Sequence, residues 1–305
     1  MIASAARRLR SLTPPDPAPL LSISVVLVLA SLVHLGHALP AVARTVRGHG
    51  ATSRDAAASQ APEQDPRYRI VGCRSRGYGA YLHGPHVREV AIGFDDGPAP
   101  DTAAFVSMLE RAHAQATFFM IGEQVSAAYR PVLLRELRDG DVLGDHTFTH
   151  PDLPLAGGTS SQLGRTIGVI RAQTGYTPCV FRPPYGAYDS SVVQTARSLG
   201  LATVLWNVDP RDWALPGTGA IERTALAEVQ PGSIIISHDG GGPRGQTLAA
   251  YPRIIAALRS RGYRIVTIPE LLGFSPVYRP CILRCDGIGV PRSALPRHAI
   301  VEQAP

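Results

Sequence analysis

A chain of 305 residues with 45% hydrophobic residues can bury one large core or two modest ones, which excludes disorder throughout. All 30 basic residues are Arg, so no Schiff-base or lysine-nucleophile mechanism is available. The formal charge of +6 suits an acidic polymer or a membrane surface. Nucleic-acid binding is disfavoured, because no basic block is dense and the aromatics are not interleaved with Arg.

Arg7, Arg8 and Arg10 precede an apolar stretch from Leu20 to Leu39, which ends near the small residues Ala41-Val42-Ala43. That order reads as an export signal. Roughly twenty apolar residues also span a bilayer, so an uncleaved membrane anchor through residues 20–39 competes with a cleaved peptide. His34 and His37 weaken the anchor, and the small-residue triplet supports cleavage. Either way the rest of the chain is expected outside the cytoplasm, secreted or anchored. Residues 44–66 are rich in Ala, Arg, Ser, Gln and Pro with no apolar period, the composition of a flexible linker. Export makes Cys73, Cys179, Cys281 and Cys285 candidates for disulfides, with three complete pairings open. Cys73 joined to one of the C-terminal pair would tie the two flanks of the domain together.

Beyond the linker, short apolar runs alternate with helical patterns. The strands predicted are Glu89 to Phe94, Ala116 to Ile121, Val142 to Gly144, Cys179 to Phe181, Ala202 to Val208, Ser233 to Ser237 and Arg264 to Thr267. Between them the pattern predicts helices over Asp101 to His113, Ala128 to Arg138, Ser160 to Thr174, Ser190 to Leu199, Ala220 to Val229 and Thr247 to Arg261. Gly140, Gly175, Gly200 and Gly262 serve as helix stops. Strands interleaved with helices imply a parallel, barrel-like sheet wrapped in helices. The segment from Phe274 to Pro305 is Pro- and Arg-rich without a clear period, and is expected to be a tail held by its cysteines or partly disordered.

In parallel barrels the functional groups lie on loops after the strands. Asp95 and Asp96 follow the first predicted strand, His146 the third, Arg182 the fourth, Asp209 and Asp212 the fifth, and His238 the sixth. His146 and His150, four apart, would share a helix face, although a turn after a strand fits better. Taken singly, the Asp pair reads equally well as a turn before Gly97-Pro98, Arg182 as a surface residue, and His238 as a satisfied core histidine. Their joint phase above the strands favours a metal site. Two imidazoles and one carboxylate leave an open position for water, the mark of catalytic zinc. Adjacent side chains on an extended backbone diverge, so one Asp can bind metal while the other accepts a proton. Arg182 can pair with the base carboxylate, and a backbone N–H in the Pro-fixed loop after it can face an oxyanion. Asp212, framed by Asp209 and Trp213, can hold His238 protonated as a general acid. Trp213 is either core or the wall of a sugar subsite. His83 and His86 read as loop residues, and Gly240 to Gly245 as a flexible loop at the rim.

Read in order, these five segments resemble the polysaccharide deacetylase family, the NodB-homology group also known as carbohydrate esterase family four, over about Val87 to Leu272. The resemblance implies a distorted seven-stranded (β/α) barrel and divides the chain into a signal or anchor (residues 1–43), the linker, a catalytic domain (67–273) and the tail. It makes Asp95 the base, oriented by Arg182, and Asp96, His146 and His150 the ligands of a divalent metal, Zn2+ first and Co2+, Ni2+ or Mn2+ next. It gives the Tyr185 N–H to the oxyanion, pairs Asp212 with the acid His238, and sets Trp213 and Ile236 along the acetyl and sugar groove. The implied reaction is removal of N-acetyl groups from cell-wall peptidoglycan or a chitin-type polysaccharide. An O-acetyl esterase of the xylan type and a catalytically silent wall-binding module are the alternatives. Two positions depart from the family pattern: Gly93 stands where Thr or Ser is usual, which is expected to loosen the strand end, and Ile236 where Leu is common.

Overall fold

A computed structural model describes residues 67–303 apart from 78, 282–284 and 286–288. The export segment and the linker lie outside the described residues. Among the described residues no helix is long and apolar enough to cross a membrane. In chain order the strands are β1 (Arg67–Arg74), β2 (Ala80–Tyr81), β3 (Glu89–Gly97), β4 (Thr117–Met120), β5 (Val142–Asp145), β6 (Val180–Phe181), β7 (Ala202–Val204), β8 (Ile234–His238), β9 (Arg264–Val266), β10 (Ser275–Pro280), β11 (Val290–Pro291) and β12 (Ile300–Val301). The helices are α1 (Thr102–Ala112), α2 (Arg130–Asp139), α3 (Leu153–Ala156), α4 (Thr159–Thr174), α5 (Ser190–Ser198), α6 (Thr218–Glu228), α7 (Gly245–Ser260) and α8 (Ile268–Leu271).

The larger sheet runs β2-β7-β6-β5-β4-β3-β8, with every neighbouring pair parallel, and β9 pairs with the first part of β3. Seven of its eight strands are those expected from the sequence, and β2 is the addition. The sheet curls until the chain beyond β7 meets β8. Val208 bridges Ile235, and Ile236 N donates to Val208 O at 3.0 Å. This is a distorted (β/α) barrel.

Alternation along β3 shows why the curl forms. Val90, Ile92 and Phe94 face outward, where Phe94 packs edge-on to Phe105 of α1 and Tyr251 of α7. Ala91, Gly93 and Asp95 share the other face, whose small side chains leave the barrel interior to the site. The four glycines read as helix stops all have positive φ, from 74° to 90°, a backbone that only glycine adopts without penalty.

The segment from residue 274 onward departs from expectation. β10, β11 and β12 join β1 in a second sheet, ordered β11-β1-β10-β12. Antiparallel pairing of β1 with β10 therefore ties the flanks of the domain by backbone hydrogen bonds, the task expected of a disulfide. Instead Cys73 bonds to Cys179 and Cys281 to Cys285. The bridge between Gly72 and Thr177 brings β1 alongside the run-in to β6, which puts Cys73 next to Cys179. Alternating Tyr68 and Ile70 against the barrel was the signal for β1, but eight residues with four Arg or Gly concealed it.

Glu136 of α2 is fully buried, and neither carboxylate oxygen has a partner among the described residues. Burial, reinforced by the charges of Asp239 and Asp141, raises its pKa well above the usual carboxylate range. A carboxyl whose folded pKa is raised keeps its stability below the unfolded value of about 4.3 and loses it as pH climbs towards the folded one. Glu136→Gln should therefore stabilise the fold by about 1–3 kcal/mol at pH 8 and far less at pH 5. Thermal midpoints at the two pH values test this, and an equal difference at both would exclude ionisation as the cause.

Candidate active site

A bulge at the end of β3 separates the two adjacent carboxylates. The register against β4 shifts between Asp95 and Gly97, and Asp96 has φ 71°. Both side chains can consequently address one cavity, although neighbours on a regular strand diverge. Asp95 is buried, and its Oδ1 accepts from Arg182 Nη1 at 2.7 Å. Asp96 Oδ1 lies 3.4 Å from His146 Nε2 and 3.3 Å from His150 Nε2.

The histidines sit in a turn rather than a helix, as the position after β5 suggested. Thr147 N donates to Asp145 Oδ1, while Phe148 N and Thr149 N both donate to Gln162 Oε1 of α4. His146 Nδ1 bonds Arg182 O at 2.7 Å, and His150 Nδ1 bonds Tyr185 Oη at 3.1 Å. With each Nδ1–H so engaged, both rings turn an Nε2 lone pair towards Asp96. Among the described residues, four of the seven non-glycine positions with positive φ, Asp96, Thr147, His150 and Tyr185, fall here, as strained backbone does at functional sites.

The donor set fits a divalent ion. One atom from each of Asp96, His146 and His150 lies within 4.8 Å of the others, and Asp96 Oδ1 is a buried oxygen without a hydrogen-bond partner. Tetrahedral zinc bonds of about 2.0–2.1 Å require ligand atoms about 3.3–3.4 Å apart, which matches both Asp96 to imidazole spacings. Burial opposes ionisation of Asp96, yet the imidazole of His146 beside it, with those of His238 and His150, holds its carboxyl well below the usual range. Burial and the His146 charge lower the His150 pKa, favouring the neutral ring that a metal needs.

Arg182 is inside the barrel, not on the surface. Its guanidinium lies 4.2 Å over the Phe119 ring, and a Cβ at Gly93 would stand 2.5 Å from its Nη1. Gly93 thus makes room for the Arg182–Asp95 pair instead of loosening the strand. On the far side His238 Nδ1 bonds Asp212 Oδ1 at 2.8 Å. Burial opposes protonation of His238, but the Asp212 bond and charge, with Asp95 and Asp96, raise its pKa above the ordinary imidazole value.

Asp95, Asp96, His146, His150, Tyr185, Trp213, Ile236 and His238 all line one cavity of about 560 Å3, together with Trp206, Asp209 and Arg244. Arg182 and Asp212 stand behind its wall. Trp213 is half exposed, at the mouth rather than in the core. His83 bridges to Ser233 and takes no part.

Sequence reasoning missed three groups. Thr247 Oγ1, fully buried, donates to Asp212 Oδ2 at 2.8 Å. Asp239, next to His238, is buried and accepts from Thr102; burial, with the charges of Asp96 and Asp95, raises its pKa to about 7. The segment from Gly240 to Gly245 is no loose rim: Asp239 N and Gly240 N donate to Asp95 O, and Arg244 is buried. Glycine there permits close approach, since a Cβ on Gly240 would collide with the Asp96 carbonyl. A Gly-Gly-Gly run announces flexibility and close packing alike, so its sequence could not separate them.

Thr247→Val should lower kcat about tenfold, the worth of one charge-assisted hydrogen bond, with little change in KM. If Thr247 acts through Asp212 and His238, the loss should be larger for an amide than for an ester with a good leaving group, and Thr247→Ser should restore activity. Equal losses on both substrates would point to a packing defect instead.

A sequence profile described as polysaccharide deacetylase matches residues 83–204. A peptidoglycan-N-acetylglucosamine deacetylase of Bacillus cereus is 38% identical over 194 residues, 61% of this chain and 88% of the relative. A chitooligosaccharide deacetylase of Sinorhizobium fredii is 39% identical over 196 residues, 59% of this chain and 90% of that one. Among solved structures, a peptidoglycan N-acetylglucosamine deacetylase crystallised with a naphthyl N-oxidanyl-benzamide superposes with a TM-score of 0.61 at 31% identity, covering 64% of this chain and 93% of that protein.

Proposed function

This chain belongs to the polysaccharide deacetylase family, and on that premise we propose that it is an exported, metal-dependent hydrolase that removes N-acetyl groups from a polysaccharide containing N-acetylglucosamine. The observation that carries the mechanism is the difference in surroundings between the two carboxylates of the Asp pair. Asp96 Oδ1 faces two imidazole Nε2 atoms, whereas Asp95 Oδ1 is held by Arg182 and its Oδ2 points to the same cavity, 3.9 Å from His146 Nε2.

Asp96, His146 and His150 would hold the metal. A divalent ion there, with Zn2+ suited best and Co2+, Ni2+ or Mn2+ also acceptable to such donors, lowers the pKa of water and polarises the acetyl carbonyl. Asp95 takes the proton from the water that attacks the carbonyl carbon. Arg182 keeps that carboxylate oriented until it does so. The Tyr185 N–H, turned by the positive φ of its residue, donates to the oxyanion. As the C–N bond breaks, His238 gives its proton to the departing amine, supported by Asp212. Acetate and a free amino sugar result. Trp213 and Ile236 flank the acetyl and sugar groove.

Cell-wall peptidoglycan is the leading substrate and a chitin-type oligosaccharide the next, following the two named relatives and an export segment that would deliver the domain to the wall. Whether the protein is released or stays on the membrane through residues 20–39, the domain works outside the cytoplasm. Acetate release from purified wall sacculi and from a chitin oligomer, with and without chelator, tests the reading. Release from matched O-acetyl substrates alone would favour the esterase, and no release from any would leave the silent wall-binding module.

A further inference from the structure

Arg244 is only 4% exposed, yet it lines the cavity that Asp96 and His238 also line. Its backbone N–H donates to Asp101 Oδ2 at 3.2 Å, and its Nε to Gly240 O at 2.5 Å. Neither Nη atom has an acceptor among the described residues, so one whole edge of the guanidinium is left to whatever enters the cavity. The space in front of it is kept open by glycine. A Cβ on Gly241 would stand 3.3 Å from Arg244 Nη2 and against Asp96 Oδ2.

Arg244 forms no ion pair among the described residues, although Asp209 shares its cavity and Asp101 accepts from its backbone, and three other carboxylates nearby are engaged elsewhere. Asp95 is paired with Arg182, Asp212 with His238, and Asp96 with the two imidazoles. A buried cation without a carboxylate in direct contact is costly unless a ligand completes it. Two Nη donors in a fixed fork match the two oxygens of a carboxylate. We propose that Arg244 forms a carboxylate-binding subsite in the cavity wall, taking either a carboxylate carried by the polysaccharide or the acetate that the reaction releases. The inference rests on the deacetylase reading above, since hydrolysis of an acetamide here generates a carboxylate within reach of this wall.

The test compares the full chain, loaded with Zn2+, with its Arg244→Gln variant. Sodium acetate is the inhibitor, against sodium chloride of equal ionic strength. A rise of at least about tenfold in the acetate inhibition constant, the worth of a charged hydrogen bond, supports the subsite and identifies product acetate as its occupant. An equal loss of preference for wall fragments with free stem-peptide carboxylates over amidated ones supports it with substrate as the source. Neither change, in a variant whose thermal midpoint matches the parent, overturns it. Should the variant fail to fold, acetate diffused into wild-type crystals decides: density within hydrogen-bond reach of Nη1 or Nη2 supports the subsite, and its absence there overturns it. A wild-type protein that releases acetate from no N-acetyl substrate would defeat the deacetylase reading instead, and the crystal experiment would still settle the subsite.

Discussion

Asp95→Asn is expected to lower kcat by roughly 10^2- to 10^4-fold, the usual worth of a positioned general base, while zinc content stays at the level of the parent. The amide retains the shape of the side chain and an oxygen that can accept from Arg182 Nη1, so the loss isolates the missing basicity. It also leaves the Arg182 guanidinium, with no exposed surface, beside a neutral partner. Breaking a buried pair from one side costs about 3–5 kcal/mol, and a retained acceptor puts this variant at the low end. A lowered thermal midpoint therefore accompanies the loss of turnover, and rates must be read where the variant is fully folded. Acetate release at the parental rate by folded, zinc-loaded Asp95→Asn would sink the assignment of Asp95 as base.

The sheet was legible because its signals are local. Seven strands of the barrel sheet, all but β2, are short apolar runs, each long helix has a 3.6-residue period, and glycine closes several of them. The site was legible for the same reason, since a residue after a strand end in a parallel barrel falls on one rim whatever the details of packing. What escaped depends on contacts distant in sequence. β1 is recognisable only through β10, some two hundred residues later, and the Cys73–Cys179 bond follows from that placement. Thr247 is an ordinary residue of a helix's first turn until folding delivers Asp212 to its hydroxyl. Gly93 read as a weakness because the residue that fills its space, Arg182, comes from another strand end.

Asp96→Asn should act on the metal rather than on the proton, with zinc affinity falling by more than about 100-fold, beyond what loss of an outer hydrogen-bond partner costs. The substitution is conservative in backbone terms. Asp96 sits at φ 71°, a region that Asn adopts as readily as any non-glycine residue, so the bulge that divides the carboxylates should survive. What changes is the ligand: a neutral amide replaces the carboxylate oxygen that lies 3.3 and 3.4 Å from the two Nε2 atoms. Excess Zn2+ should therefore recover part of the activity of Asp96→Asn and none of that of Asp95→Asn. Metal content by dialysis and rate against added zinc separate the two roles within one pair of adjacent residues. Recovery of Asp95→Asn by zinc, or parental zinc affinity in Asp96→Asn, would reverse the division, because each outcome requires the ion to be held by the carboxylate that Arg182 now occupies.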